Sequence, residues 1–225
     1  MSEFAVFFRR KKEIIVTGLL SCLAILMVQC SYSNANSGKI RLENGDLLFV
    51  TAKESGLSGA INNVTQKEKI ASFDHMGILE KEDNRFFVLH ASPKGGSQKQ
   101  ILQDFIKDQR EDGQEVIVYR LKPEYRKSVP DAIQKAHSML GKPYNFNYIL
   151  DENSYYCSDF VERAFRENHI FKLESMTFID PKTGKTNSFW EEFYRKRNLN
   201  IPEGELGCNP NGLAGSDKLE RIGKL

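Results

Sequence analysis

Strand-forming and helix-forming segments are segregated along this chain, and that segregation limits its fold more than any other feature. Asn44-Gly45 is a turn pair, and the run Asp46-Leu47-Leu48-Phe49-Val50 behind it reads as a buried strand. Residues 51–70 are polar and punctuated by Ser55-Gly56-Leu57-Ser58-Gly59, which predicts a loop with a short helix. Met76-Gly77-Ile78-Leu79-Glu80 and Arg85-Phe86-Phe87-Val88-Leu89-His90 predict a hairpin across Lys81-Glu82-Asp83-Asn84, ended by Ala91-Ser92-Pro93-Lys94-Gly95-Gly96. A short helix at 101–105 precedes the strand Glu115-Val116-Ile117-Val118-Tyr119-Arg120-Leu121. Helices then take over. In 130–140, Ala132, Ile133, Ala136, Met139 and Leu140 recur at helical spacing, with Pro130 in the first turn and Gly141 as terminator. A second helix, 157–168, carries Phe160, Val161, Ala164 and Phe165 on one stripe, and a third holds Trp190, Phe193 and Tyr194 as a core face. From Pro202 onward Gly, Pro and Asn predict an ordered surface coil. Strands first and helices later, without strict alternation, give an α+β fold rather than a doubly wound sheet.

The N-terminus has a different character. Arg9-Arg10-Lys11-Lys12 precedes fifteen apolar-leaning residues, 14–28. That run is short for a membrane span, which needs about 20 residues, and fits the apolar region of an export signal. Cys30 closes it, and 31–39 is a polar flexible tether. The organisation is therefore an export signal over 1–30, the tether, and one domain over 40–225, a length sufficient for a sizeable core. A cysteine placed like Cys30 resembles the lipidation site of a bacterial lipoprotein; Met27-Val28-Gln29 stands where small residues are usual. The formal net charge is +2 and the basic cluster belongs to targeting, so electrostatics give no reason to expect a nucleic-acid partner.

Beyond the signal, only Cys157 and Cys208 remain. In an oxidising compartment they can form a disulfide, or one can be a working thiol. Cys157 opens a predicted helix after Tyr155-Tyr156, where the positive end of the helix dipole lowers a thiol pKa and favours the thiolate. Its own backbone N–H can stabilise an oxyanion there. Alone, the residue reads equally as a small buried hydrophobe. His75 starts one strand of the predicted hairpin and His90, fifteen residues later, ends the next, so both imidazoles fall at one edge. That suits a base whose second nitrogen is held by another polar group, although each histidine alone reads as a surface or capping residue.

The ordered series of motifs joins these positions. Gly45-Asp46-Leu47-Leu48-Phe49, His75-Met76-Gly77-Ile78 and Leu89-His90-Ala91-Ser92 resemble the strand region of the NlpC/P60 cysteine peptidases. Here the cysteine helix follows these strands instead of preceding them. Gly141-Lys142-Pro143-Tyr144-Asn145-Phe146, Tyr155-Tyr156-Cys157-Ser158-Asp159-Phe160-Val161 and the tail Ile201-Pro202-Glu203-Gly204 with Asn209-Pro210-Asn211 resemble the circularly permuted YiiX/YaeF-like branch. The resemblance covers about 40–222 and implies a permuted papain-like fold, an antiparallel sheet packed against helices. It also implies Cys157 as nucleophile, His75 as base and His90 as orienting member. Asp159 stands where the branch often has Glu, and His90 where several relatives place Glu; a neutral His90 stabilises an imidazolium less than a carboxylate does.

The implied chemistry is acyl transfer to water through a thioester. It needs no cofactor and no metal, and Tyr144 borders the pocket as a substrate-binding candidate. Zinc binding by His75, His90 and Cys157 lacks any paired ligand spacing. His137 reads as solvent-side, His169 as a helix cap, Asp46 as a local backbone cap, and Cys208 as free or bonded to another chain. The leading reading is an exported amidase or peptidase whose partner is a cell-envelope substrate, such as a peptidoglycan stem peptide, with membrane contact only through a lipid anchor. A lipid-directed acyl hydrolase or acyltransferase, for which no extended apolar groove is legible, and a non-catalytic envelope binding protein are the rivals.

Overall fold

The computed structural model describes residues 40–65 and 72–225. The basic and apolar segment, Cys30 and the tether lie outside the described residues. Strand β1 (Leu47–Thr51) sits between β2 (Phe73–Glu82) and β5 (Val116–Leu121); with β3 (Arg85–Ser92), β4 (Gly96–Ile101) and β8 (Leu219–Lys224) the sheet runs β4-β3-β2-β1-β5-β8, every pairing antiparallel. The unbroken apolar run of β1 has a physical reason. Leu47 and Phe49 enter the larger core, while Leu48 and Val50 enter a second core on the other face.

That second face is covered by α2 (Leu102–Glu111), whose Leu102 and Phe105 pack on Leu48, Val50, Leu79, Val88, Val116 and Val118. The first face receives α3 (Val129–Ser138) and α4 (Cys157–Phe165), with α1 (Gly56–Thr65) and α5 (Ser188–Arg195) in the same core. Trp190 and Tyr194 are buried as expected. The fold is α+β with an antiparallel sheet packed against helices.

Several boundaries differ from the sequence reading. The hairpin between β2 and β3 (Arg85–Ser92) closes on Asp83-Asn84 alone, with Asp83 at φ 50°, because Lys81 and Glu82 still pair with Phe86 and Arg85. The polar stretch Gly96–Ile101 is strand β4, formed because β3 offers it a free edge from Phe87 to Ser92. The predicted C-terminal coil contains a two-residue strand β7 (Leu206–Gly207) paired with β6 (Glu174–Ser175). Beyond it come a short helix α6 (Pro210–Ala214) and strand β8 (Leu219–Lys224) on β5.

Two polar clamps hold the frame. Asp46, fully buried, accepts from the Glu43 backbone at 2.8 Å and from Arg120 Nε and Nη2 at 2.6 and 2.8 Å, which joins β1 to β5. Asn211 in α6 accepts from the Phe73 backbone N–H at 2.7 Å and donates to Thr65 at 2.8 Å, so the far end of the chain fixes the start of β2. Asn211→Ala leaves that buried N–H without an acceptor and costs about 1–3 kcal/mol. Urea denaturation measures it, and an unchanged midpoint would show that Asn211 is not the clamp.

Candidate active site

Tyr156 occupies the N-cap position of α4 with extended backbone (φ −93°, ψ 167°) and no side-chain cap, so Cys157 is the first helical residue. Its backbone N–H has no intrahelical partner and faces the Tyr144 hydroxyl. Two contacts seat this turn. The Tyr156 hydroxyl accepts from the Cys208 backbone N–H at 3.3 Å, and Ser158 Oγ donates to the Cys208 carbonyl at 3.1 Å. On the outer side Asp159 binds Arg163 Nε at 2.7 Å, and Arg163 also pairs with Glu152 in the loop before the helix. Both cysteines are buried and free.

Tyr144 is brought to the same place by a parallel bridge with Tyr155. Asn145 N–H donates to the Tyr155 carbonyl at 3.0 Å, and Tyr155 N–H to the Pro143 carbonyl at 3.2 Å. The sheet anchors this loop where Ser97 N–H donates to the Lys142 carbonyl at 2.8 Å. Gly96, at φ +69°, is required here, since a Cβ would lie 2.1 Å from that carbonyl oxygen.

His75 and His90 meet across β2 and β3, with His75 Nε2 2.9 Å from His90 Nδ1. Gly77 makes room for the pair. A Cβ there would stand 2.6 Å from Val88 and 3.0 Å from the Cβ of His90. Both imidazoles pack against Phe105 of α2. The Cys157 thiol lies against the strand that carries His75, donating to the Asp74 carbonyl at 3.8 Å rather than to the imidazole. Among the described residues, Nδ1 of His75 makes no hydrogen bond. The structure thus pairs the two histidines and places the thiol beside their strand, with the thiol–imidazole hydrogen bond unmade. Such bonds are often loose in unliganded enzymes.

Burial dominates the electrostatics. It pushes the Cys157 thiol up to about 12, with the Asp74 carboxylate adding to the rise. The expected thiolate therefore does not form at rest: desolvation outweighs the helix dipole. Burial, then the neighbouring His90, lowers His75 to about 3; burial lowers His90 to about 4, against the opposing pull of Gln100 and Asp108. The resting groups are a neutral thiol and two neutral imidazoles.

A cavity of about 270 Å³ opens beside Cys157, walled in part by Tyr144, Tyr148, Val64, Met176 and Trp190. Its apolar walls were not legible in the sequence, since Val64, Met176 and Trp190 come from three separate segments. Asp74, also in the wall, is held at both carboxylate oxygens by Gln114 Nε2 at 2.9 and 3.1 Å. Asp74 and Tyr148 were missed because neither lies in a recognisable pattern. His137 is only half solvent-side: it pairs with Glu80 at 2.6 Å and ties α3 to β2. His169 caps the helix end in the left-handed region, as expected.

Folding keeps both imidazoles neutral, whereas the unfolded chain protonates them below about 6.5. Their folded values are depressed, so the stabilisation is complete above pH 6.5 and is lost as pH falls toward 4. The urea midpoint should drop between pH 7 and pH 5 by the equivalent of about 2 kcal/mol for each imidazole. His90→Gln should flatten that slope; an identical slope in the variant would contradict the assignment.

The family model described as "Permuted papain-like amidase enzyme, YaeF/YiiX, C92 family" matches residues 41–223. Among solved structures, the metalloprotein yiiX from Escherichia coli O157:H7 is similar over 81% of this chain and 97% of its own, at 23% identity and TM-score 0.65, a likeness of fold. Comparison with curated proteins gives no match. In this chain the described residues best placed to gather around a metal are Glu80, Glu82 and His137, but the Lys99 ammonium is ion-paired with both carboxylates and already supplies the positive charge. That set does not fit a metal ion. A cysteine at a helix N-terminus, a histidine pair across two neighbouring strands and the match over 41–223 agree: this chain belongs to the permuted papain-like amidases of the YaeF/YiiX, C92 family.

Proposed function

We propose that this cysteine amidase is exported and cleaves an amide bond of a cell-envelope substrate, with Cys157 as nucleophile, His75 as base and His90 as its orienting partner. The observation that carries the reading is the 2.9 Å contact of His75 Nε2, on the strand against which Cys157 lies, with His90 Nδ1 on the neighbouring strand. In the tautomer that donates from Nε2 to His90, Nδ1 of His75 keeps its lone pair for the thiol proton. The sulfur leaves the Asp74 carbonyl, gives its proton to Nδ1 and attacks the substrate carbonyl. The resulting oxyanion faces the Cys157 N–H, and Tyr144 borders the substrate. Collapse expels the amine, which takes the proton from His75. Water then hydrolyses the thioester with His75 again as base.

Because the thiol is neutral at rest, proton transfer accompanies attack instead of preceding it. Cys157→Ala should abolish turnover, and His75→Ala should lower it by about 10²–10⁴-fold, the usual contribution of a general base. Release of amine from purified peptidoglycan fragments reads both. A His75→Ala enzyme of undiminished rate would refute the base assignment.

A second reading, a lipid-directed acyl hydrolase or transferase, draws support from the apolar wall of Val64, Met176 and Trp190 beside the thiol. Turnover of long-chain acyl esters in place of peptidoglycan fragments would select it. Lipidation at Cys30 completes the proposed envelope location. Mass spectrometry of the membrane-extracted protein should find a diacylglyceryl-modified Cys30, absent in Cys30→Ser.

A further inference from the structure

Tyr148 has no part in the chemistry described so far, yet four independent features of it are unusual. Its backbone lies in the left-handed region at φ 59°, an uncommon conformation for a bulky residue and a local strain. Asn145 enforces it: Oδ1 accepts from the N–H groups of Asn147 and Tyr148 at 2.9 and 3.1 Å, and Nδ2 donates to the Ile149 carbonyl at 2.6 Å. The ring is then clamped by Tyr156, Trp190 and Phe193 at centroid distances of 5.4, 5.6 and 6.0 Å. Finally, the residue is 8% exposed in the wall of the cavity that holds Cys157, and its buried hydroxyl makes no hydrogen bond of full geometry among the described residues, with the Tyr144 hydroxyl beside it.

Leaving a buried phenol unpaired costs about 1–3 kcal/mol, and native proteins rarely do so away from functional sites. The hydroxyl lies beside Cys157 and interacts with the Tyr144 hydroxyl without reaching full hydrogen-bond geometry, and burial keeps it protonated and therefore a donor. An acceptor that appears only during reaction would satisfy it.

We propose that Tyr148 is a further oxyanion donor: its hydroxyl hydrogen-bonds the oxygen of the tetrahedral intermediate formed on Cys157. The sulfur–carbon bond forms, the carbonyl π pair moves onto oxygen, and that oxygen accepts from Tyr148 O–H as well as from the Cys157 N–H. Collapse returns the pair to the carbonyl as the leaving group departs, and Tyr148 keeps its proton throughout. A donor that is rigid, desolvated and unpaired beforehand requires no reorganisation when the charge develops.

The inference rests on Cys157 as nucleophile, and the test separates the two. Two probes of the same sulfur are compared in the full chain. p-Nitrophenyl acetate acylates through an oxyanion and is read as a burst of p-nitrophenolate. Iodoacetamide alkylates by direct displacement of iodide, with no oxyanion, and is read by mass spectrometry. Tyr148→Phe should slow the burst about 100-fold, the lower end of the loss found on removing one oxyanion donor, and leave alkylation within about twofold of the parent rate. Its melting temperature should change little, because the hydroxyl lost makes no full hydrogen bond among the described residues. Equal slowing of both reactions, slowing of neither, or a lowered melting temperature would each overturn the assignment. Tyr144→Phe distinguishes direct donation from action through its neighbour: if it erases the effect of Tyr148→Phe in the double variant, Tyr148 is not the donor. A parent protein whose Cys157 gives no burst at all would instead defeat the nucleophile reading on which the inference stands.

Discussion

The chemistry of this fold depends on the first turn of α4 resting against β2 at Asp74–Met76. A helix normally offers a sheet its middle, where an apolar stripe buries most surface. Here α4 uses Phe160, Val161 and Phe165 for that purpose and still carries Cys157 to the strand that holds His75. The angle of approach is set from outside the helix. Asn211 fixes the start of β2, Ser158 and Tyr156 fix the first turn of α4 to Cys208, and the Tyr144–Tyr155 bridge fixes the loop before it. Loss of any one of these hydrogen bonds loosens the seat of the thiol, and in an enzyme a misplacement of about 1 Å can cost roughly 10²-fold in rate.

Burial sets how such a site can react. The thiol is pushed up to about 12 and the imidazole down to about 3, so an ion pair at rest is unfavourable on both sides. A site of this kind differs from one that keeps its cysteine ionised. A thiol neutral at rest is less open to oxidants, because the thiolate is the reactive species. His90 fits the same logic. A carboxylate in its place would stabilise an imidazolium in the resting state, whereas a neutral imidazole 2.9 Å away leaves His75 neutral.

Much of the fold was legible because its elements obey local rules. The β1 run, the hairpin of β2 and β3, and helices α3, α4 and α5 were written in apolar periodicity, turn pairs and caps. Strands β4 and β8 were not. Gly-Ser-Gln-Lys-Gln-Ile has no strand pattern and pairs only because β3 leaves an open edge; Leu219–Lys224 is half polar and pairs because β5 does the same. Both are products of the sheet rather than of their own sequence. In the site, the histidine pair was readable from the hairpin, and Gly77 shows why its motif contains glycine. The sign of the thiol shift was not readable, because a helix start is visible in sequence whereas the burial that outweighs it comes from segments far apart in the chain.

Tyr148 marks the limit of that kind of reading. Its position follows from Asn145, whose side chain hydrogen-bonds three nearby backbone groups and thereby turns the chain into a conformation that tyrosine avoids. The local sequence Asn145-Phe146-Asn147-Tyr148 contains the means to do this, since Asn side chains readily bond the backbone two and three residues ahead. What it does not contain is the direction of the ring. That is set by Trp190 and Phe193 from α5 and by Tyr156 from the start of α4, the same residue that seats Cys157. The aromatic cluster therefore has two consequences from one packing arrangement: it closes the larger core, and it holds a strained tyrosine at the wall of the cavity that contains the thiol.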